Sequence, residues 1–554
     1  MRAQFFAGVI NADEDRMIPG HEIAAEAKRR ILVRVRAAAA AGTPLTQTLG
    51  GTVYHERQRL SRGAAHGERA REDRAFVDHL HRALAQQSEP VDQLLTKVVE
   101  RYADEIEGRF SHSVYRFSTT ILPFGVTALL NGTTPAMALP RLPELTELSD
   151  RLVLSGAIER LSKLSTLGTV VLAPTHVSNL DSLLLGYAIH KLGLPPFIYG
   201  AGLNLFESRV LGFFMRHLGA YSVDRGKSDP LYKATLKEYA TIALERGQHG
   251  LFFPGGARSR SFALERRLKR GLLGTTLTAF RNRLITQPDA PGVFIFPVTL
   301  SYPLVLEGHS LIEEFLGRAG RERYLQPAHD EPDRVGRWVG FLRHLLALDL
   351  DVHMRIGAPL DPFGCDVNAD GHSLDPRGRV INAAGYLRSG GEIVAETARD
   401  HAYTELLEQA LVRAYQRDNV VLGTWLVAYV AIEILRRKLA TDDVFNLLRQ
   451  LPPGTTIARG EVVSGLKEAH QQVTTLAASG GLALSEALTA DPNALLERAL
   501  RSFSSYHDVP VITARGAELV VGDPRLLYFY RNRLDGYGLM GAPSLLPLEA
   551  HELR

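Results

Sequence analysis

An alternation between residues 150 and 360 constrains the fold of this chain more than any other feature. Short β-branched or apolar runs fall at Thr169–Leu172, Phe197–Tyr199, Ala220–Val223, Gly250–Phe253, Val293–Thr299 and Asp351–Ile356. Helical patterns lie between them, among them Pro230–Arg246 and Leu264–Arg283. Strands that alternate with helices predict an α/β sheet with helices on its faces. Sheets of this kind place ligands beyond their strand ends, so the residues that follow each run are the ones to search for chemistry.

The flanks read differently. Residues 1–110 form a charged helical N-terminal region, and 111–365 hold the α/β domain. Residues 366–400, rich in Gly, Asp and Asn, read as loops. Residues 401–554 are mainly helical, with a short β-hairpin and a helix over Pro510–Leu534. Within 1–110, Gly63–Arg74 reads as a flexible connection. The helix expected over Glu22–Ala41 carries Lys28, Arg29, Arg30, Arg34 and Arg36 among apolar residues. It either packs on the next domain or lies on a membrane surface.

Composition excludes several classes. A net charge of +3 over 554 residues makes no case for a nucleic-acid partner. The single cysteine, Cys365, cannot close an internal disulfide and suits a reducing compartment. No His or Cys cluster has metal-ligand spacing, so no metal is expected. The apolar part of the N-terminus is too short for a signal peptide. No run of about 18 to 20 apolar residues predicts a spanning helix. The uncharged segments 117–140 and 419–432 are expected either in the core or as patches against a membrane surface.

Two constellations carry chemistry. Pro174-Thr-His-Val-Ser-Asn-Leu-Asp-Ser182 follows the first apolar run and sets His176 five residues before Asp181. Histidine is suited to taking a proton near neutral pH, and a carboxylate can fix its tautomer and stabilise the imidazolium. In a regular helix two such residues stand about 140° apart, so they meet only if His176 lies outside the helix and the chain curls back. Ser178-Asn-Leu-Asp181 also has the pattern of a helix N-cap with an acid in the first turn.

The second constellation, Leu251-Phe-Phe-Pro-Gly-Gly-Ala-Arg-Ser-Arg260, follows another run. Gly255 and Gly256 permit a turn that aims amides at an anion, and Arg258 and Arg260 add planar forks for phosphate oxygens. Between residues 255 and 283 eight basic residues face one acid, Glu265. Such a concentration on a nearly neutral chain marks a local anion site, with several of the later charges on a solvated helix face. A further arginine, Arg225, closes the run Ala220–Val223.

Together these blocks resemble the glycerophospholipid acyltransferases. That family carries H-x-x-x-x-D, then a strand ending in Arg, then a block close to F-P-E-G-T-R-S-R, then a strand with a central proline. Here they are His176–Asp181, Gly219–Arg225, Phe253–Arg260 and Val293–Val298. The tail Asp523–Leu534 and the segment opening at Asp418-Asn-Val-Val-Leu422 are similar to parts of the glycerol-3-phosphate acyltransferase branch. One position departs: Gly255 stands where the family usually has Glu.

The resemblance implies a glycerolipid acyltransferase-like mixed sheet flanked by helices, with helical N-terminal and C-terminal extensions. It implies His176 as general base, Asp181 as its orienting carboxylate, and Arg225, Gly256, Arg258 and Arg260 as the acceptor's phosphate site. The reaction it implies is transfer of a fatty acyl group from acyl-CoA or acyl carrier protein to the sn-1 hydroxyl of glycerol 3-phosphate, without metal or prosthetic group. Lysophosphatidic acid and dihydroxyacetone phosphate are alternative acceptors, and a non-catalytic lipid-binding protein on the same fold is the alternative class. Peripheral attachment to the cytoplasmic face of the cell membrane is expected.

Overall fold

In the computed structural model, the described residues are 17–62, 67–116, 118, 151–203, 213, 215–287, 289–319, 350–489, 491–507 and 509–546. The apolar segment 117–140 lies outside them, apart from Ser118. Four helices come first: α1 (Gly20–Ala40), α2 (Leu45–Ser61), α3 (Gly67–Gln86) and α4 (Val91–Ile106). The segment expected to be a flexible connection is therefore helical from Gly67. In α4, Leu94, Leu95, Val98, Val99, Tyr102 and Ile106 recur at helical spacing and are all buried, the apolar stripe that a surface helix packs inward.

The α/β region follows as β1 (Leu152–Gly156), α5 (Ile158–Leu167), β2 (Thr169–Pro174), α6 (Asp181–Lys191), β3 (Ile198–Gly202), β4 (Ala220–Val223), α7 (Pro230–Glu245), β5 (Gly250–Leu251), α8 (Arg270–Thr286), β6 (Val293–Ser301), α9 (Gly308–Ala319) and β7 (Val352–Ile356). The seven strands form one sheet in the order β1-β7-β6-β2-β5-β3-β4. From β6 to β4 every neighbouring pair is parallel. β7 runs antiparallel to β6, and β1 parallel to β7. The sheet is thus mixed, with helices beside it. Every residue of β2 and β6 is buried, which is why these strands read as continuous apolar runs.

The C-terminal region supplies α10 (Thr397–Asp418), α11 (Gly423–Leu439), α12 (Arg459–Ala478), α13 (Pro492–Phe503), the hairpin β8 (Ile512–Arg515) and β9 (Glu518–Val521), and α14 (Pro524–Arg531). Asp229, Asp491 and Asp523 each cap a helix whose first residue is proline, accepting from backbone N–H groups inside the first turn. Residues 366–400 are mostly irregular but tied down: Leu360, Val367 and Leu374 pair through isolated bridges, and Val367 and Leu387 are buried.

For two segments with two expected placements each, the structure shows the packed one. Residues 419–432 are core, since Trp425, Leu426, Val427 and Ala428 on α11 are fully buried. The basic face of α1 is spoken for within the protein. Lys28 pairs with Glu100, Arg29 with Glu26, Arg30 with Glu238 and Glu245, Arg34 with Glu238, and Arg36 with Asp92. That helix packs against α4 and α7 rather than presenting unpaired cations. Among the described residues no helix is long and apolar enough to cross a membrane.

The helix expected over Leu264–Arg283 starts only at Arg270. The residues before it are pinned as a loop: Lys269 N donates to Pro254 O at 2.6 Å and Leu268 N to the Glu408 carboxylate at 2.8 Å. Bonds of this kind replace the helical ladder and carry Glu265 back toward the sheet.

Candidate active site

The parallel strands β2, β4, β5 and β6 deliver their following loops to the same edge of the sheet. His176 follows β2, Arg225 follows β4, Phe253–Arg260 follows β5, and Tyr302 and Glu307 follow β6.

His176 lies in the loop before α6, and Asp181 is that helix's first residue. The chain does curl back: His176 Nδ1 is 2.8 Å from Asp181 Oδ2. The same oxygen accepts from the backbone N–H groups of Val177 (2.6 Å) and Ser178 (3.0 Å), while Oδ1 accepts from the Tyr302 hydroxyl at 2.6 Å. Asp181 is fully buried. Four donors satisfy the two oxygens of this buried carboxylate. An ionised carboxylate only accepts, so Nδ1 carries the proton and Nε2 is left as the basic nitrogen. The Tyr302 hydroxyl, buried and beside Asp181, has its pKa pushed well above the ordinary phenol value; it stays a neutral donor.

The imidazole is held by its surroundings as well. Phe253 stacks on it with ring centroids 4.1 Å apart. His176 O accepts from Ser259 N at 2.8 Å, tying the His176 loop to the arginine turn, and His176 N donates to Glu265 Oε1 at 2.9 Å. The ring keeps 13% of its surface exposed, enough for one edge to meet a substrate.

The capping pattern behaves differently from expectation. The helix starts at Asp181 with Leu180 as its N-cap, and no side chain caps it. Ser178 instead accepts from Leu180 N at 3.2 Å and donates to Glu307 Oε2 at 2.9 Å. The reason is local: Asp181 is committed to His176 and the 177–178 amides, and Glu307 takes the next amide, Asn179 N, at 3.1 Å.

The glycine turn carries the expected positive φ at Gly256 (+75°) but not at Gly255. Of the arginines, Arg258 lies 3.3 Å from Glu307 and Arg260 lies 2.8 Å from Glu314. Arg225 has no hydrogen bond or ion pair among the described residues. It is exposed at a strand end, yet its pKa is lowered, first by the protein packed around it and then by the cations of Arg258 and Arg260. Arg225 therefore feels the charge of both neighbours, and an anion beside it would relieve that repulsion.

The later basic residues do not join them. Arg266 pairs with Asp535, Arg270 with Glu405 and Glu408, and Arg281 with Asp400. These charges dock the C-terminal region onto the α/β region.

Tyr302, Glu307 and Glu265 carry no motif of their own, and Arg533 joins them from the tail block Asp523–Leu534. Arg533 comes from the chain's tail and is fully buried. It lies against Phe262 and Trp425, donates to Asn419 Oδ1 at 3.0 Å and to Leu300 O at 2.9 Å, and is within electrostatic reach of Glu265 and Asp181. Burial lowers its pKa, and the two carboxylates oppose that. Among the described residues no group of three or more His, Cys, Asp or Glu could hold a metal ion.

A histidine held by a buried carboxylate, beside arginines at the ends of parallel strands, is an arrangement suited to transferring a group to a phosphate-bearing acceptor. Residues 157–301 match the family model described as Acyltransferase. The chain is similar to glycerol-3-phosphate acyltransferases, which supports a glycerophospholipid acyltransferase family. More particularly, it is 32% identical over 218 residues to a glycerol-3-phosphate acyltransferase of Pseudomonas paraeruginosa, covering 39% of this chain and 23% of that protein. It is 27% identical over 420 residues to one of Pseudomonas putida, covering 75% of this chain and 44% of that one. The chain thus spans less than half the length of these curated relatives. A 1-acyl-sn-glycerophosphate acyltransferase structure from Thermotoga maritima also matches, at 15% identity and a TM-score of 0.24, over 47% of this chain and 70% of that one.

Proposed function

We propose that this protein transfers a fatty acyl group from a thioester donor, acyl-CoA or acyl carrier protein, to the sn-1 hydroxyl of glycerol 3-phosphate, giving lysophosphatidic acid. The observation that carries the reading is the His176–Asp181 pair at 2.8 Å beside the Arg225, Arg258 and Arg260 cluster. The names of the similar proteins supply the acceptor.

In this mechanism His176 Nε2 removes the proton of the acceptor hydroxyl as that oxygen attacks the thioester carbonyl. The C–O bond forms, the C–S bond breaks, and the imidazolium returns its proton to the leaving thiolate. Asp181 stabilises the imidazolium while it exists. General-base help of this kind is worth about 10²–10⁴-fold. Arg225, Arg258 and Arg260, with the amides of the Gly256 turn, grip the acceptor phosphate and hold its hydroxyl at the base. The acyl group passes directly to the acceptor, so the chemistry needs the thioester as co-substrate and no prosthetic group.

The acyl chain and the lysophosphatidic acid product are lipidic, and we propose peripheral attachment on the cytoplasmic side of a membrane. Flotation with anionic liposomes tests this: binding at low salt is expected, and its absence contradicts attachment. The acceptor is tested by supplying purified protein with acyl-CoA and, separately, glycerol 3-phosphate, lysophosphatidic acid or dihydroxyacetone phosphate. The highest kcat/KM is expected with glycerol 3-phosphate. A higher value with another acceptor reassigns the substrate, and no transfer to any leaves the binding-protein alternative.

A further inference from the structure

Glu265 is the one acid among the basic residues of 255–283; its side chain is half-buried, with Oε2 fully covered. Oε1 accepts from His176 N at 2.9 Å. Burial raises its pKa, and the donation from His176, the Arg533 cation and the His176 ring work against that rise. A side chain built at Gly255 would meet Glu265 first: its Cβ would stand 3.1 Å from Glu265 Cγ and 3.3 Å from Oε1. A side chain at 255 would therefore press on a carboxylate arriving from ten residues further along the chain, which would have to give by a few tenths of an ångström. Gly255 does not have a positive φ, so its backbone does not demand glycine; the close approach of Glu265 favours it.

We infer that Glu265 is a positioning residue for the proposed base. By accepting from the His176 amide it fixes the backbone from which the imidazole projects, and it stands in for a carboxylate at position 255. The hydrogen bond and the close approach to Gly255 are two faces of one arrangement. Its partners on each side are set by the fold: the β2–α6 loop supplies the amide, the 261–269 loop the carboxylate, and the tail the Arg533 cation. The inference rests on the acyl-transfer reading for its kinetic consequence but not for its structural one.

The test compares wild type, Glu265→Ala, Glu265→Gln and the double variant Gly255→Glu with Glu265→Ala. Turnover is followed together with hydrogen exchange at the 174–182 backbone. Glu265→Ala should lower kcat by roughly 10²-fold, the scale of an ångström's misplacement of a reacting group. It should leave KM for the acyl donor unchanged and speed exchange at His176. Glu265→Gln, whose amide oxygen can still accept, should keep slow exchange and most of the turnover. The double variant should regain much of what Glu265→Ala lost. Unchanged kcat and exchange in Glu265→Ala would overturn the inference. So would equal losses in Ala and Gln, or a folded double variant with no recovery. If the double variant does not fold, the Ala and Gln comparison decides. A wild type that transfers nothing refutes the acyl-transfer reading alone, because the exchange readings still report on Glu265.

Discussion

At the scale of the residue, the three arginines are unequal. Arg258 and Arg260 are already engaged by Glu307 and Glu314, whereas Arg225 has no ion pair among the described residues. Removing Arg225 leaves no acid stranded, so Arg225→Ala should raise KM for the phosphorylated acceptor about 10- to 100-fold, the worth of a charge-assisted hydrogen bond. The melting temperature should stay close to that of wild type. Arg258→Ala should raise the same KM and also destabilise, since it releases Glu307, which holds the Ser178 hydroxyl and the Asn179 amide. Steady-state kinetics with a thermal melt separates the two; equal melts in both variants would contradict this division. His176, Asp181 and the arginines were legible in the sequence because their types and spacing are unusual. Tyr302, Glu307 and Glu265 were not, because a buried tyrosine and two glutamates are common residues that gain meaning only when distant loops meet.

At the scale of the element, the loop after β4 that bears Arg225 is held by the N-terminal helices. Lys227, buried, donates to Glu105 at 2.5 Å; Tyr102 donates to Asp229 Oδ2 at 2.7 Å; Arg59 lies 3.7 Å from Asp224. Arg59 in turn pairs with Glu56 and Asp73, all buried. Burial alone would raise the Asp73 carboxyl, but hydrogen bonds from Arg59 and Arg101 outweigh it and hold its pKa below the ordinary range. A lowered folded value means its stabilisation is complete above the unfolded carboxylate value of about 4 and is lost as pH falls through the folded one. Glu56, raised by burial, acts in the opposite sense. Asp73→Asn should therefore flatten the acid side of the pH–stability curve for α2–α4. Hydrogen exchange of those helices at several pH values checks this, and an unchanged slope would contradict it. Strand and helix positions in the α/β region were largely readable from residue type. β1 was missed, since Leu152–Gly156 is short and its pairing with β7 joins segments far apart in sequence.

At the scale of the whole molecule, the sheet and the C-terminal region share one apolar core running from Leu152 to Leu545. Its polar lock is buried too. Arg531 donates to Glu433 at 2.9 Å and pairs with Asp535, and neither Arg531 nor Glu433 is exposed. Breaking a buried pair from one side strands the other charge, so Glu433→Ala should cost about 3–5 kcal/mol by chemical denaturation; a loss under about 1 kcal/mol, the worth of a surface pair, would contradict the assignment. The tail thereby carries Arg533 to within reach of Asp181 and Glu265. Strand order and this long-range closure could not be read from the sequence, because both depend on which apolar faces meet rather than on local pattern.

The central claim is that His176, oriented by Asp181, is the base of an acyl transfer. It is tested most directly by the rate of acyl transfer to glycerol 3-phosphate in His176→Ala beside wild type, with circular dichroism and melting recorded on both. The account predicts an intact fold and a kcat lower by about 10²–10⁴-fold. Turnover within a few-fold of wild type in a folded His176→Ala protein would contradict it.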